Sequence, residues 1–126
     1  MNRILIVDDE ASIRLLYSQE LMDEGYEVDA AETIAEALEL LGKNTYALVL
    51  LDIKLKNESG LDLLQTLVRE RHDMAVILST AFSCYKDDFS AWLADGYVVK
   101  SSDLTELKEE VRRVLAKKAQ KPRVGL

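Results

Sequence analysis

Three kinds of side chain in this sequence could act together on one charged group: carboxylates at Asp8, Asp9 and Asp52, a hydroxyl at Thr80, and an amine at Lys100. Glu10 extends the first acidic pair, and Ser79 precedes Thr80. Carboxylates brought close together repel and raise one another's pKa, so a fold that gathers them needs a cation. Oxygen-only donors suit a hard cation. Mg2+ fits best, because one or two carboxylates commonly hold it where a phosphoryl group is bound. Zinc does not fit, since the chain has a single cysteine, Cys84, and a single histidine, His72. Lys100 would then meet a phosphoryl oxygen as a point charge, and the Thr80 hydroxyl would donate to another. Taken singly, each piece is ordinary: Asp-Asp is a common turn and helix cap, and a lone lysine is a common surface cation. The inference rests on their joint placement.

That placement comes from the elements. Ile4–Val7 is a short apolar run that ends at Asp8. Tyr46–Leu51 is an apolar run that ends at Asp52, Met74–Leu78 leads into Ser79 and Thr80, and Tyr97–Val99 into Lys100. Such unbroken runs fit strands covered on both faces. Tyr26–Ala30 alternates as a further strand. Between the strands lie segments with apolar residues three or four apart, the period of a helix. Ile13, Leu16, Tyr17 and Leu21 mark the first, which Gly25 ends. Ile34, Ala37, Leu38 and Leu41 mark the second, with Thr33 and Glu36 spaced as a capping box and Gly42 at its close. A third helix runs from Ser59-Gly60 to about Arg71, a fourth from about Ser83 to Asp95, and Leu104, Leu107, Val111, Val114 and Leu115 mark the last. Five strands alternating with five helices imply an α/β domain with a parallel sheet, helices on both faces and right-handed crossovers. The carboxyl ends of its strands, where ligands bind in such folds, then bring Asp8, Asp9, Asp52, Thr80 and Lys100 to one edge.

The 126 residues allow one ordinary domain. A net charge of −7 disfavours direct binding to nucleic acid or an anionic membrane. The N-terminal apolar run is too short for a signal peptide, and no run approaches a membrane span, which points to a cytoplasmic protein. No acid follows Glu110, and Lys117, Lys118, Lys121 and Arg123 are basic. This divides the chain into a domain over 1–118 and a basic tail or linker remnant over 119–126.

Four segments resemble the response-regulator receiver domains of two-component signalling, the CheY-like family. They are Ile4-Leu5-Ile6-Val7-Asp8-Asp9-Glu10, Leu48-Val49-Leu50-Leu51-Asp52 with Gly60 downstream, Ser79-Thr80-Ala81, and Val98-Val99-Lys100. The resemblance covers roughly 3–117. It implies a single doubly wound (βα)5 domain of flavodoxin-like fold with strand order 2-1-3-4-5. It implies that Asp52 accepts a phosphoryl group from a sensor histidine kinase or a histidine phosphotransfer protein. Mg2+ would be held by Asp9, Asp52 and the Lys54 backbone carbonyl, with Asp8 acting through a water. Thr80, Lys100 and Tyr97 would carry the switch, and the surface of the fourth helix, fifth strand and fifth helix would present it to a downstream protein, a missing output domain or a second copy. Such a domain is no enzyme in the ordinary sense, but it assists its own phosphorylation and dephosphorylation.

The sequence departs from the family in two places that bear on the site. Ser101 follows Lys100 where the family usually has proline, which puts the local peptide geometry in question. Lys56 also replaces a common proline and implies a looser loop after Asp52. Three other readings stand beside the resemblance. A Mg2+-dependent phosphohydrolase would need a second acid where Lys54 stands. A flavodoxin-like cofactor binder would need a phosphate cradle where Asp8-Asp9-Glu10 stands. A receiver-like module that binds partners without phosphorylation is kept open by Ser101.

Overall fold

The computed structural model describes residues 2–55, 57–70, 73–81, 93–100 and 104–120. In chain order its elements are β1 (Arg3–Val7), α1 (Ala11–Asp23), β2 (Glu27–Ala31), α2 (Ile34–Lys43), β3 (Leu48–Asp52), β4 (Lys54–Leu55), β5 (Glu58–Ser59), α3 (Gly60–Glu70), β6 (Ala75–Thr80), β7 (Gly96–Val99) and α4 (Thr105–Gln120). Five strands form one sheet in the order β2-β1-β3-β6-β7, and all its pairings are parallel. Side chains alternate across a strand, so each strand feeds two cores. Leu5, Val7, Val49, Leu51, Val76 and Leu78 pack with Leu41, Leu64 and Leu67 on one face. Ile4, Ile6, Leu48, Leu50 and Ile77 pack with Tyr17, Leu21, Leu107 and Val111 on the other. This double burial is why the central strands read as apolar throughout.

Helix ends follow local chemistry. The Thr33 Oγ1 accepts from the Glu36 amide at 3.1 Å, and the Glu36 carboxylate accepts from the Glu32 amide at 2.8 Å. Gly25 ends α1 with φ of 99°, a conformation that costs glycine nothing.

Several expectations need correction. The five sheet strands taken in chain order have the expected order, but two further short strands, β4 and β5, pair antiparallel as a hairpin directly after β3. Lys56, expected to loosen the loop after Asp52, lies outside the described residues; beside it Lys54 pairs with Ser59 and Leu55 with Glu58. Four helices are present among the described residues. The helix expected over about 83–95 falls largely on residues outside the described set, as do His72, Cys84 and Ser101. Gly42 lies inside α2, which Asn44 caps. Leu16 and Leu38, part of the apolar spacing that marks their helices, are exposed, because the buried stripe of each helix is narrower than its apolar pattern. The last helix runs to Gln120, with Lys117 and Lys118 in its final turn.

Candidate functional site

The sheet register sets the site. Asp8 directly follows β1, Asp52 ends β3 opposite Ser79 of β6, and Lys100 directly follows β7. Alternation puts Asp8, Asp52, Ser79 and Lys100 on the same face as Ile6, Leu50, Ile77 and Val98, the face covered by α1 and α4. The Lys100 ammonium lies 2.8 Å from Asp8 Oδ2, 3.1 Å from Asp52 Oδ2 and 3.2 Å from Glu10 Oε1. One cation thus ties together the ends of β1, β3 and β7. Asp8 and Asp52 are only 2% and 4% exposed, so these are buried charges that must be paired.

The rest of each carboxylate is also held. Asp8 Oδ1 accepts from the Glu10 amide at 2.9 Å, and the Asp8 carbonyl accepts from Arg14 at 2.8 Å. Asp52 Oδ1 accepts from the Lys54 amide at 3.2 Å. Burial, with the nearby charge of Asp8, pushes the Asp52 carboxyl up to about 6 against the opposing pull of Lys100. Burial works against the Lys100 charge, but the hydrogen bond and charge of Asp8, and then those of Asp52, outweigh it and raise the amine's pKa.

Asp8, Asp9 and Glu10 place a carboxylate oxygen each within 4.8 Å of one another. Thr80 alternates to the opposite face, with Val76 and Leu78, and Tyr97 packs against that same core. The Thr80 carbonyl accepts from the Lys100 amide at 2.6 Å, which links the two faces at the strand ends. The Lys54 side chain is exposed, while its backbone is fixed in the β4–β5 hairpin.

The structure therefore joins Asp8, Asp52 and Lys100 in one ion-paired group, sets Asp9 beside it, and puts Thr80 and Tyr97 together on the other side. Two participants escaped the sequence reading. Glu10 is a partner of Lys100, and the run Asp8-Asp9-Glu10 carried that signal. Tyr17 is 1% exposed, and its hydroxyl lies close enough to Lys100, Asp8, Ser79 and Glu10 for each to influence its titration. It read only as a core residue.

A family profile described as the response regulator receiver domain matches residues 4–112. The chain belongs to the response-regulator receiver family. It is 36% identical over 123 residues to the response regulator ArlR of Staphylococcus saprophyticus, covering 96% of this chain. It spans 56% of the length of that relative. The response regulator TrrA of Thermotoga maritima, solved in complex with Mg2+-BeF, is 47% identical with a TM-score of 0.86, over 90% of this chain and 99% of that one. TrrA has also been solved in complex with the histidine kinase ThkA, where the match is 48% identical with a TM-score of 0.85, over 91% of this chain and 99% of that one. A CheY-like receiver from Methanospirillum hungatei matches at 32% identity with a TM-score of 0.88, over 95% of this chain and 98% of that one. Among the described residues no helix is long and apolar enough to cross a membrane.

Proposed function

We propose that this receiver domain takes a phosphoryl group on Asp52 from a histidine kinase or a histidine phosphotransfer protein, and that the change is read on the surface of β7 and α4. The observation that carries the proposal is the Lys100 ammonium bridging Asp8 and Asp52 at the carboxyl edge of the sheet. The acidic run supports Mg2+: Asp8, Asp9 and Glu10 offer three carboxylates whose oxygens can approach one ion, and the donors proposed here are all oxygen. Asp9, Asp52 and the Lys54 carbonyl would hold the ion, with Asp8 acting through a water, and the ion would supply charge neutralisation during transfer.

The chain's own groups do the rest. An Asp52 carboxylate oxygen forms the new P–O bond as the P–N bond of the donor phosphohistidine breaks, and the imidazole leaves with that electron pair. A carboxylate is a weak nucleophile, so the gain comes from positioning and charge. Asp52 Oδ1 is oriented by the Lys54 amide, and Lys100 stands ready to neutralise phosphoryl charge. The phosphoryl group adds about −1.5 to −2 charge and three acceptor oxygens. Thr80 turns toward those oxygens, and Tyr97, packed on the same face, moves with it. The equilibrium between two arrangements shifts rather than a rigid body deforming. In this proposal the domain over 1–118 includes Lys117 and Lys118, and 119–126 is the tail or linker remnant. ThkA bound to TrrA supports a kinase as partner.

Intact mass after incubation with acetyl phosphate and Mg2+ tests the proposal. One phosphoryl addition is expected on the wild type, none on Asp52→Ala, and none with EDTA. An unmodified wild type would leave the phosphorylation-independent module as the better reading.

A further inference from the structure

Ser79 lies beside the charged group, and yet its oxygen accepts from none of it. It is 2% exposed, and its Oγ accepts no hydrogen bond, while the Tyr17 hydroxyl is near enough to take its proton. A buried hydroxyl oxygen without a donor loses its solvation for nothing in return, and native folds rarely keep one unless some state of the protein uses it. The sheet order indicates which group would use it. β6 lies between β7 and β3. Lys100 follows β7, but its ammonium reaches Asp52 on β3 and Asp8 after β1. The lysine side chain must therefore cross the end of β6, on the face where Ser79 is the β6 residue. Ser79 is paired in register with Asp52 on one side and Val98 on the other, and Lys100 is two residues beyond Val98.

The three N–H donors of the ammonium face carboxylates of Asp8, Glu10 and Asp52. That arrangement cannot survive phosphorylation of Asp52, which turns one carboxylate into a mixed carboxylic–phosphoric anhydride and moves its negative charge onto the phosphoryl oxygens. We propose that Ser79 is a positioning residue for Lys100: once Asp52 is loaded, its hydroxyl accepts a hydrogen bond from the ammonium and holds the lysine toward the phosphoryl group. This inference rests on the phosphoacceptor reading of Asp52. The Tyr17 hydroxyl is the natural acceptor for the serine's own proton, since it is buried within hydrogen-bonding reach of Ser79.

The test uses the whole chain as wild type, Ser79→Ala, Lys100→Met, the double variant and Tyr17→Phe. Two quantities are measured: the melting temperature in EDTA, and the affinity for beryllium fluoride in Mg2+ by calorimetry. Ser79→Ala is expected to melt in EDTA at the wild-type temperature or above, because the oxygen it removes accepts from no neighbour there. Its beryllium fluoride affinity is expected to fall about fivefold, the worth of one hydrogen bond. In the Lys100→Met background the same substitution is expected to change nothing, because the two residues act together. Should Lys100→Met bind too weakly for calorimetry, the 15N signal of the Lys100 ammonium in the loaded protein decides. It shifts in Ser79→Ala if the contact exists.

Unchanged affinity in Ser79→Ala overturns the inference, as does an equal loss in both backgrounds or an unmoved ammonium signal. A lower melting temperature in EDTA would make Ser79 merely structural. A Tyr17→Phe variant that reproduces the whole loss would make the tyrosine, not the lysine, its partner. A wild type that binds no beryllium fluoride overturns the phosphoacceptor reading first, and this inference with it.

Discussion

Gly60 lies against the backbone of Asp52. A Cβ at position 60 would collide with the Asp52 carbonyl oxygen and stand 2.9 Å from its carbonyl carbon. The Gly60 amide also donates to the Ile53 carbonyl at 2.7 Å, so α3 starts hard against the end of β3. The glycine is required here for close approach, not for an unusual φ. Gly60→Ala must push either α3 or Asp52 aside. It should cost about 1–3 kcal/mol, the range of overpacked sites, and slow phosphorylation by acetyl phosphate. Urea unfolding checks the first effect and intact mass against time the second. Wild-type values in both would mean that the contact relaxes freely.

The Asp52 carboxyl, pushed up to about 6 mainly by burial, makes stability depend on pH when no cation is present. The sign follows from proton uptake. Between the ordinary value of 3.8 and about 6, the folded protein holds a proton on Asp52 that the unfolded chain has released. The contribution is thus fully present below 3.8 and is lost as pH rises through about 6. In EDTA, the stability of wild type relative to Asp52→Asn should fall by on the order of 1–3 kcal/mol from pH 4 to pH 7. Urea midpoints across that range provide the check. A flat difference would mean that Lys100 fully offsets the burial.

Asp9 has no ion-pair partner among the described residues, while Asp8 and Glu10 share Lys100. Its charge adds repulsion with no cation to offset it. Asp9→Asn should raise the melting temperature in EDTA by about 3 °C, the shift that roughly 1 kcal/mol brings in a domain of this size. The same variant should lose most of the stabilisation that Mg2+ gives the wild type. Scans with and without Mg2+ test both halves, and a variant no more stable than wild type in EDTA would count against crowding at this edge.

Much of the site was legible because strand ends are easy to locate. Asp8, Asp52 and Lys100 each follow an apolar run, and a parallel sheet delivers all such ends to one edge. The Thr33 cap was legible because its partner stands three residues away. What escaped has physical reasons. The β4–β5 hairpin is built from two-residue strands, too short to show any period. Leu16 and Leu38 satisfy helical spacing but fall just outside the narrow buried stripe. Glu10 could not be assigned to Lys100, because that contact depends on a lysine reaching across an intervening strand.

The same limit hid the hold of α4 on β7. The Tyr97 amide donates to Glu110 Oε2 at 3.1 Å, and Arg113 grips that carboxylate with contacts of 2.9 and 2.8 Å. Gly96 makes room, since a Cβ there would stand 2.6 Å from Glu110 Oε2. β7 is an edge strand, and this carboxylate occupies a backbone donor that would otherwise face outward. Because Tyr97 belongs to the proposed switch, the contact anchors the part of the strand that should not move while its ring does. Glu110→Ala should cost about 1 kcal/mol, a typical net hydrogen bond, and should speed hydrogen exchange at the Tyr97 amide far more than at Val98. Exchange measured residue by residue by NMR gives the answer. Equal acceleration at both amides would mean that the whole strand frays, and that Glu110 supports the sheet edge in general rather than pinning Tyr97.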